Sequence, residues 1–230
     1  MTGGVSTTIV ALTAALLVGC APVYTWDTNT TSTARPASLD ISELSQQPVA
    51  TVAIVAPGAL QGFSILLSHA LVATLANASP PIRAVPAHEI ANTLNDQGLG
   101  AEYADLLSGF ARNGIMDRER LRRIGAALGA RYVLLPGLAQ FDQALLDRFE
   151  VAGIKVIRTR VTVLRVWLQL WDTGTGHILW ESAGEMAAAS NVVKQDRMAP
   201  VDAIARRLWR RMIQDDLLEG GTGSRSLLHF

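Results

Sequence analysis

The alternation of apolar and polar positions from residue 49 onward predicts one domain of mixed α and β structure. Residues 49–56 (VATVAIVA) form a β-branched apolar run before Pro57 and Gly58, which is typical of a strand buried on both faces. The other predicted elements are helices at 60–76, 86–94, 101–112, 117–127 and 201–218, strands at 82–85 and 131–141, and a hairpin at 154–189. We therefore expect an α/β (α+β) fold, in which helices flank a mixed β-sheet with a long C-terminal antiparallel hairpin.

Individual residues indicate where some of these elements end. Asp117 is a suitable N-cap for helix 117–127, and Gly129 stands where a helix commonly stops. Pro136 and Gly137 interrupt strand 131–141, which predicts a bulge or an edge strand there.

The hairpin has a preferred register around its turn, Thr173-Gly174-Thr175-Gly176. Pairing Leu170 with Trp180 keeps apolar residues on one face, whereas a slip of one residue would place Leu168 beside Glu181. Trp180 is therefore predicted to face the core. Trp167 and Trp171 fall on the opposite face, where either a helix covers them or they form an exposed aromatic partner surface.

The N-terminal segment is typical of a targeting signal. Residues 9–18 (IVALTAALLV) form an apolar run too short to span about 30 Å of hydrocarbon, and Leu17, Val18 and Gly19 precede the single cysteine, Cys20. This sequence resembles the lipobox of bacterial lipoproteins, which implies a signal peptide at 1–19, signal-peptidase recognition of these three residues, and lipidation of Cys20. The segment departs from the usual pattern in that no Lys or Arg precedes the apolar run.

The residues between the lipobox and the first strand have little apolar periodicity. Residues 20–48 are rich in Thr, Ser and Pro, and they are predicted to form a flexible tether that holds the domain about 30 Å from the bilayer. The alternative is a structured N-terminal arm that docks through Tyr24 or Trp26. The domain is predicted over 49–218 and a flexible tail over 219–230. Residue 21 is Ala rather than Asp, which in similar lipoproteins of double-membrane bacteria implies sorting to the outer membrane.

Composition and motifs argue against several classes of function. Lys and Arg (20) balance Asp and Glu (20), so no overall positive charge favours nucleic acid. The histidines are scattered, and there is no HExxH, GxSxG or phosphate-loop motif. We expect no enzyme, no metal site and no cofactor. The oligomeric state is left open.

The last predicted helix carries a basic stripe, formed by Arg206, Arg207, Arg210 and Arg211, opposite its apolar face. It could contact anionic headgroups, peptidoglycan carboxylates or an acidic partner. The more ordinary interpretation is a solvated face paired locally with Asp202, Asp215 and Asp216.

Two stretches together resemble a domain shared by envelope lipoproteins. They are residues 121–136 (LRRIGAALGARYVLLP) and residues 166–181 (VWLQLWDTGTGHILWE). The related proteins are the lipoprotein activators of penicillin-binding proteins, the curli-secretion lipoprotein and the amino-terminal domain of the Tol-Pal translocation protein. The resemblance implies a periplasmic docking module anchored to the membrane through its lipid, with an envelope protein as partner. A small-ligand or glycan-binding lipoprotein is the alternative. Because residues 140–153 are too short to supply membrane hairpins, pore formation is not expected.

Overall fold

The computed structural model describes residues 24–37, 39–151, 154–191, 198–221 and 225–228. Its strands are β1 (Tyr24–Ser32), β2 (Val49–Thr51), β3 (Ala84–Val85), β4 (Tyr132–Val151), β5 (Ile154–Asp172), β6 (Ile178–Asn191) and β7 (Arg225–Leu228). Its α-helices are α1 (Ile41–Gln46), α2 (Ser64–Ala76), α3 (Ala87–Asp96), α4 (Gly100–Asn113), α5 (Arg118–Leu128) and α6 (Val201–Arg210). A 3₁₀ helix (Gly58–Phe63) leads into α2, and a π-helix (Arg211–Leu218) continues α6.

One mixed sheet organises the described residues, with the strand order β3-β2-β4-β5-β6-β1-β7. The strand β2 is parallel to both β3 and β4, and the remaining pairs are antiparallel. The predicted α/β fold with a mixed sheet is therefore confirmed.

Helices cover the two faces of the sheet differently and create two cores. On one face, α2, α6 and the π-helix pack over β4, β5 and β6 through side chains such as Leu71, Leu208 and Trp180. On the other face, α3, α4 and α5 pack over β2, β4 and the end of β5 through side chains such as Phe110 and Leu121. Asp117 caps α5 by accepting a hydrogen bond from the Arg120 N–H, and the helix ends at Gly129 with a φ of 59°, both as expected.

The hairpin of β5 and β6 has the predicted register. Leu170 lies opposite Trp180, and Arg165 lies opposite Glu185. Trp180 is buried in the first core. Trp171 is buried in the second core, only 5% exposed, and its ring meets that of Phe110 at 6.2 Å between centroids. Trp171 is thus wrong as a candidate for an exposed partner surface, because α4 covers it.

The strand β4 is longer than the predicted strand 131–141. It runs through Pro136 and Gly137 without interruption, in the interior of the sheet. Its register against β5 shifts only later, first between Leu138 and Gln140 and again between Asp147 and Glu150. Residues 140–151 pair with β5 and form an extended hairpin, so the interpretation of 140–153 as a short connection is wrong. Residues 142–151 (DQALLDRFEV) do not alternate strictly between polar and apolar positions, so their pattern gives no clear strand signal.

The predicted tether is wrong for the described residues after 23. The strand β1 pairs with β6 from Tyr24–Ser190 to Ser32–Ser182, and α1 buries Leu44 beneath the sheet. In the predicted tail, residues 225–228 pair with β1 as β7. The signal peptide, with Leu17, Val18, Gly19 and Cys20, lies outside the described residues.

Candidate functional site

An open cleft of about 950 Å³ follows the outer side of α6, between β1 and α2. We call it the arginine cleft, and define it by Trp26, Arg206, Arg207, Arg210 and Arg211. Asp215 is the one carboxylate among the residues that line it. All four arginines of the predicted stripe are therefore brought together at one concave surface.

The position of the arginines follows from the way α6 packs. One face of α6 is buried against the sheet and α2, through Ile204, Ala205, Leu208 and Trp209. The positions between these residues therefore lie on the opposite, outward face of the helix. Arg206, Arg207 and Arg210 are exposed in consequence, whereas Arg211, in the first turn of the π-helix, is partly buried.

Two of the arginines have local carboxylate partners. Arg206 pairs with Asp202, and Arg211 pairs with Asp215, each across one helical turn. The third predicted partner, Asp216, instead turns inward, where it accepts a hydrogen bond from the Ser182 hydroxyl at 3.2 Å. Burial raises the pKa of Asp216 above its ordinary value. The local-pairing interpretation of the stripe therefore holds for half of it.

Arg207 and Arg210 make no ion pair with any residue in the described part of the chain. The guanidinium of Arg207 lies 5.2 Å from the centre of the Trp26 ring, a cation–π contact. Tyr24 packs edge-on against Trp26 at 5.6 Å and holds the indole in place. The cleft thus offers two cations that no carboxylate of the described ranges pairs with, and an aromatic ring positions one of them.

Trp26 was not recognised as a site residue from the sequence, because it lies in the segment predicted as a tether. A signal for it existed. Alternate residues of β1, including Trp26, Thr28 and Thr30, face the helix side, and this period of two is that of a strand. Thr and Asn on the other positions obscured the pattern because they are equally typical of loops.

The other predicted partner residue, Trp167, lies away from the cleft on the second face of the sheet. It is half-buried, its ring lies 6.0 Å from that of Phe110, and it covers the backbone of Gly137. Trp167 and Trp171 therefore lie on one face of the sheet, and the four arginines lie on the other.

A second charged cluster joins α1 to the end of β5. Arg131 contacts Glu43 at 2.6 Å and Asp172 at 3.3 Å, and the Tyr132 hydroxyl donates to Glu43. Burial and the bond to Glu43 raise the pKa of Tyr132. Burial opposes ionisation of Asp172, but hydrogen bonds from the Thr175 N–H and hydroxyl and from Arg131 hold its pKa below the ordinary value. These groups pair with one another through ion pairs and hydrogen bonds, so the cluster stabilises the contact of α1 and of the β5–β6 turn with the sheet.

The described histidines lie on separate elements of the fold. His69, His88 and His177 are exposed, on α2, on α3 and in the β5–β6 turn. Among the described residues, no three His, Cys, Asp or Glu side chains are grouped to hold a metal ion.

No protein-family model matches the chain, and no curated protein matches it. Solved structures of related shape include the PelC dodecamer from Paraburkholderia phytofirmans, with 15% identity, a TM-score of 0.46 and coverage of 81% of this chain and 94% of that chain. Lipoprotein GNA1162 from Neisseria meningitidis has 16% identity and a TM-score of 0.40, over 65% and 87% of the two chains. The LpoB C-terminal domain from Salmonella enterica has 17% identity and a TM-score of 0.35, over 60% and 81%.

Proposed function

We propose that this chain is a non-catalytic, lipid-anchored adaptor of the bacterial envelope, held by Cys20 in the outer membrane, that binds an acidic partner protein in the arginine cleft. The observation that carries the proposal is the pair Arg207 and Arg210, two exposed cations in an open cleft that have no carboxylate partner among the described residues. The lipobox at residues 17–20 supports the anchor. The dispersed histidines support a role without catalysis.

An acidic protein suits the cleft for physical reasons. A guanidinium presents a planar fork of donors that matches a carboxylate, and it binds two oxygens at once. Arg207 occupies one face of the Trp26 ring and Tyr24 packs against the same indole, which leaves less of the ring for stacking on a sugar. No specific observation therefore favours the alternative of a glycan-binding lipoprotein.

The experiment compares the wild-type protein with the double variant Arg207→Glu, Arg210→Glu. Arg83→Glu, Arg112→Glu is the matched control, because it makes the same change of charge at exposed positions outside the cleft. Titration with poly-glutamate at low salt measures acidic binding directly. Exposed ion pairs contribute about 0.2–1 kcal/mol each, and each charge reversal adds a repulsion of similar size to the lost attraction. Reversing two arginines should therefore weaken binding about fourfold or more.

Crosslinking in intact envelopes, followed by affinity purification, extends the test to the natural partner. The protein captured by wild type should disappear with the cleft variant, persist with the control variant, and have an acidic surface. Equal capture by all three proteins would rule out the arginine cleft as the docking site.

A further inference from the structure

The strand β4 has a long open edge. The last backbone contact on its outer side joins the Leu138 N–H to the Val55 carbonyl, at 2.9 Å. Beyond Leu138, no other strand of the described residues pairs with this side of β4, whereas β5 pairs with its inner side as far as Val151. An open strand edge presents unpaired backbone N–H and C=O groups, which are a template for pairing with another chain.

The hydrogen bonds of the sheet show which residues of this edge point outward. In an antiparallel pair, opposite residues alternate between a hydrogen-bonded pair and a non-hydrogen-bonded pair. The chain after β2 donates to the Leu134 carbonyl, away from β5, so Leu134 and Leu170 form a non-hydrogen-bonded pair. Every second residue of β5 counted from Leu170 is likewise not bonded to β4, and this set includes the partners of Phe141, Gln143 and Leu145. The backbone groups of these three residues therefore point away from β5.

Apolar side chains flank the open edge. Phe141 packs on Phe63 at 4.5 Å between ring centroids, on the face of the first core. Leu145 lies four residues further along the same face and is 51% exposed. Ile65 and Leu66 follow Phe63 at the start of α2, and they are 73% and 39% exposed. A concentration of exposed apolar side chains is typical of a surface that another molecule covers.

We propose that a second copy of this chain covers the edge, so that the two β4 strands pair antiparallel about a two-fold axis at Gln143. Phe141 of each copy then lies opposite Leu145 of the other copy, and their outward backbone groups bond to each other. On the other face of the sheet, Asp142 of each copy lies opposite Ala144 of the other. The surface is therefore self-complementary, as a two-fold interface requires.

Neighbouring registers match less well. An axis at Asp142 would place this carboxylate opposite its own copy, and an axis at Ala144 would place Phe141 opposite Asp147. Opposed like charges destabilise a strand pair. The regular part of the edge runs from the register shift before Gln140 to the one after Asp147, and the proposed axis lies near its middle. Because bulges bend a strand, the second shift turns the hairpin of one copy away from β2 of the other.

The pairing has a consequence for the arginine cleft. Because side chains at opposite positions share a face, the two sheets join as one sheet and the α6 helices of both copies cover the same side of it. Both arginine clefts then lie on one surface. A partner with two acidic segments could occupy both clefts at once, which strengthens binding without any new contact.

Cysteine crosslinking of the full chain tests the register. Asp142 and Ala144 are exposed, and co-expressed Asp142→Cys and Ala144→Cys chains should form a disulfide-linked dimer under mild oxidation. Either variant alone should form several-fold less, because its two thiols lie on a diagonal, about 7–8 Å apart between Cα atoms, which a disulfide does not span. Ala183→Cys co-expressed with Asp142→Cys is the matched control, since Ala183 is equally exposed but lies on β6. The wild type reports any crosslinking through Cys20.

A second pair of variants tests the backbone contact. Gln143→Pro removes one outward N–H and leaves the ladder to β5 intact, whereas Gln143→Ala keeps that N–H. In sedimentation equilibrium of the full chain in detergent, the wild type and Gln143→Ala should have twice the mass of one chain. Gln143→Pro should have the mass of one chain and melt like the wild type. A wild type that stays monomeric across a concentration series would overturn the inference, as would crosslinking of Asp142→Cys alone or Ala144→Cys alone that equals that of the co-expressed pair.

Discussion

Trp171 and Trp180 are buried on opposite faces of the same hairpin, and they link the sheet to its two layers of helices. Trp180 contributes to the core under α2 and α6, and Trp171 to the core under α3, α4 and α5. Removing a large buried aromatic side chain costs about 3–5 kcal/mol. We expect Trp180→Ala and Trp171→Ala each to lower the free energy of unfolding by that amount in chemical denaturation. A loss below about 1 kcal/mol for Trp171→Ala would show that α4 covers it only loosely.

Replacing Gly125 or Gly109 by alanine adds one methyl group to a helix, at a tightly packed position in the first case and at an open position in the second. The pair therefore distinguishes the cost of a steric clash from the gain in helix propensity. A Cβ at Gly125 of α5 would lie 2.5 Å from the Cβ of Thr173, whose hydroxyl donates to Ala130, whereas a Cβ at Gly109 of α4 would meet nothing within 4 Å. Gly109→Ala should stabilise the protein by roughly 0.5–1 kcal/mol. Gly125→Ala should destabilise it, because the turn held by Thr173 must move. Thermal melts of the two variants measure the difference, and a shift of the same sign in both would contradict it.

The elements β1 and α1 show that the folded domain begins before residue 49. The strand β1 lies between β6 and β7, and α1 buries Leu44 and supplies Glu43 to Arg131. A chain starting at Tyr24 should therefore melt cooperatively, as monitored by circular dichroism. A chain starting at Val49 should not, because it exposes the edge of β6 and part of the first core. A cooperative melt of residues 49–230 at the same temperature would show that both elements are dispensable.

The elements that were predictable from the sequence are those whose pattern is local. Two-residue alternation was sufficient to place Trp180 and Trp171 on opposite faces, and Asp117 and Gly129 marked the ends of α5. The strand β1 escaped prediction because its Thr, Asn and Asp residues form a strand only when β6, whose paired residues are at least 150 positions away, pairs with them. The arginine stripe was predictable as one face of a helix, but its contact with Trp26 depends on that same distant pairing. Likewise, the register showed which face holds Trp171 but not that α4 covers it.

At the scale of the whole molecule, the proposed lipid anchor keeps the domain at the membrane surface. One acyl chain binds a membrane only marginally, and the three chains of similar lipoproteins would hold firmly. Cys20→Ala should abolish cleavage by the lipoprotein signal peptidase, and the unprocessed precursor should be visible by its mass. Ala21→Ser is the control and should be processed normally. A Cys20→Ala protein that is still processed and still requires detergent for extraction would contradict the lipoprotein assignment.

The arginine cleft can be tested most directly in the living cell. A photoactivatable residue in place of Asn77, on the α2 side of the cleft, should crosslink a single acidic envelope protein upon illumination. The same residue in place of Ala183, exposed on the opposite face of the sheet, should not. Mass spectrometry of the adducts identifies the partner and its contact peptide. Capture of that protein from position 77 alone is the result that the account predicts, and capture from position 183 alone, or from neither position, would contradict it.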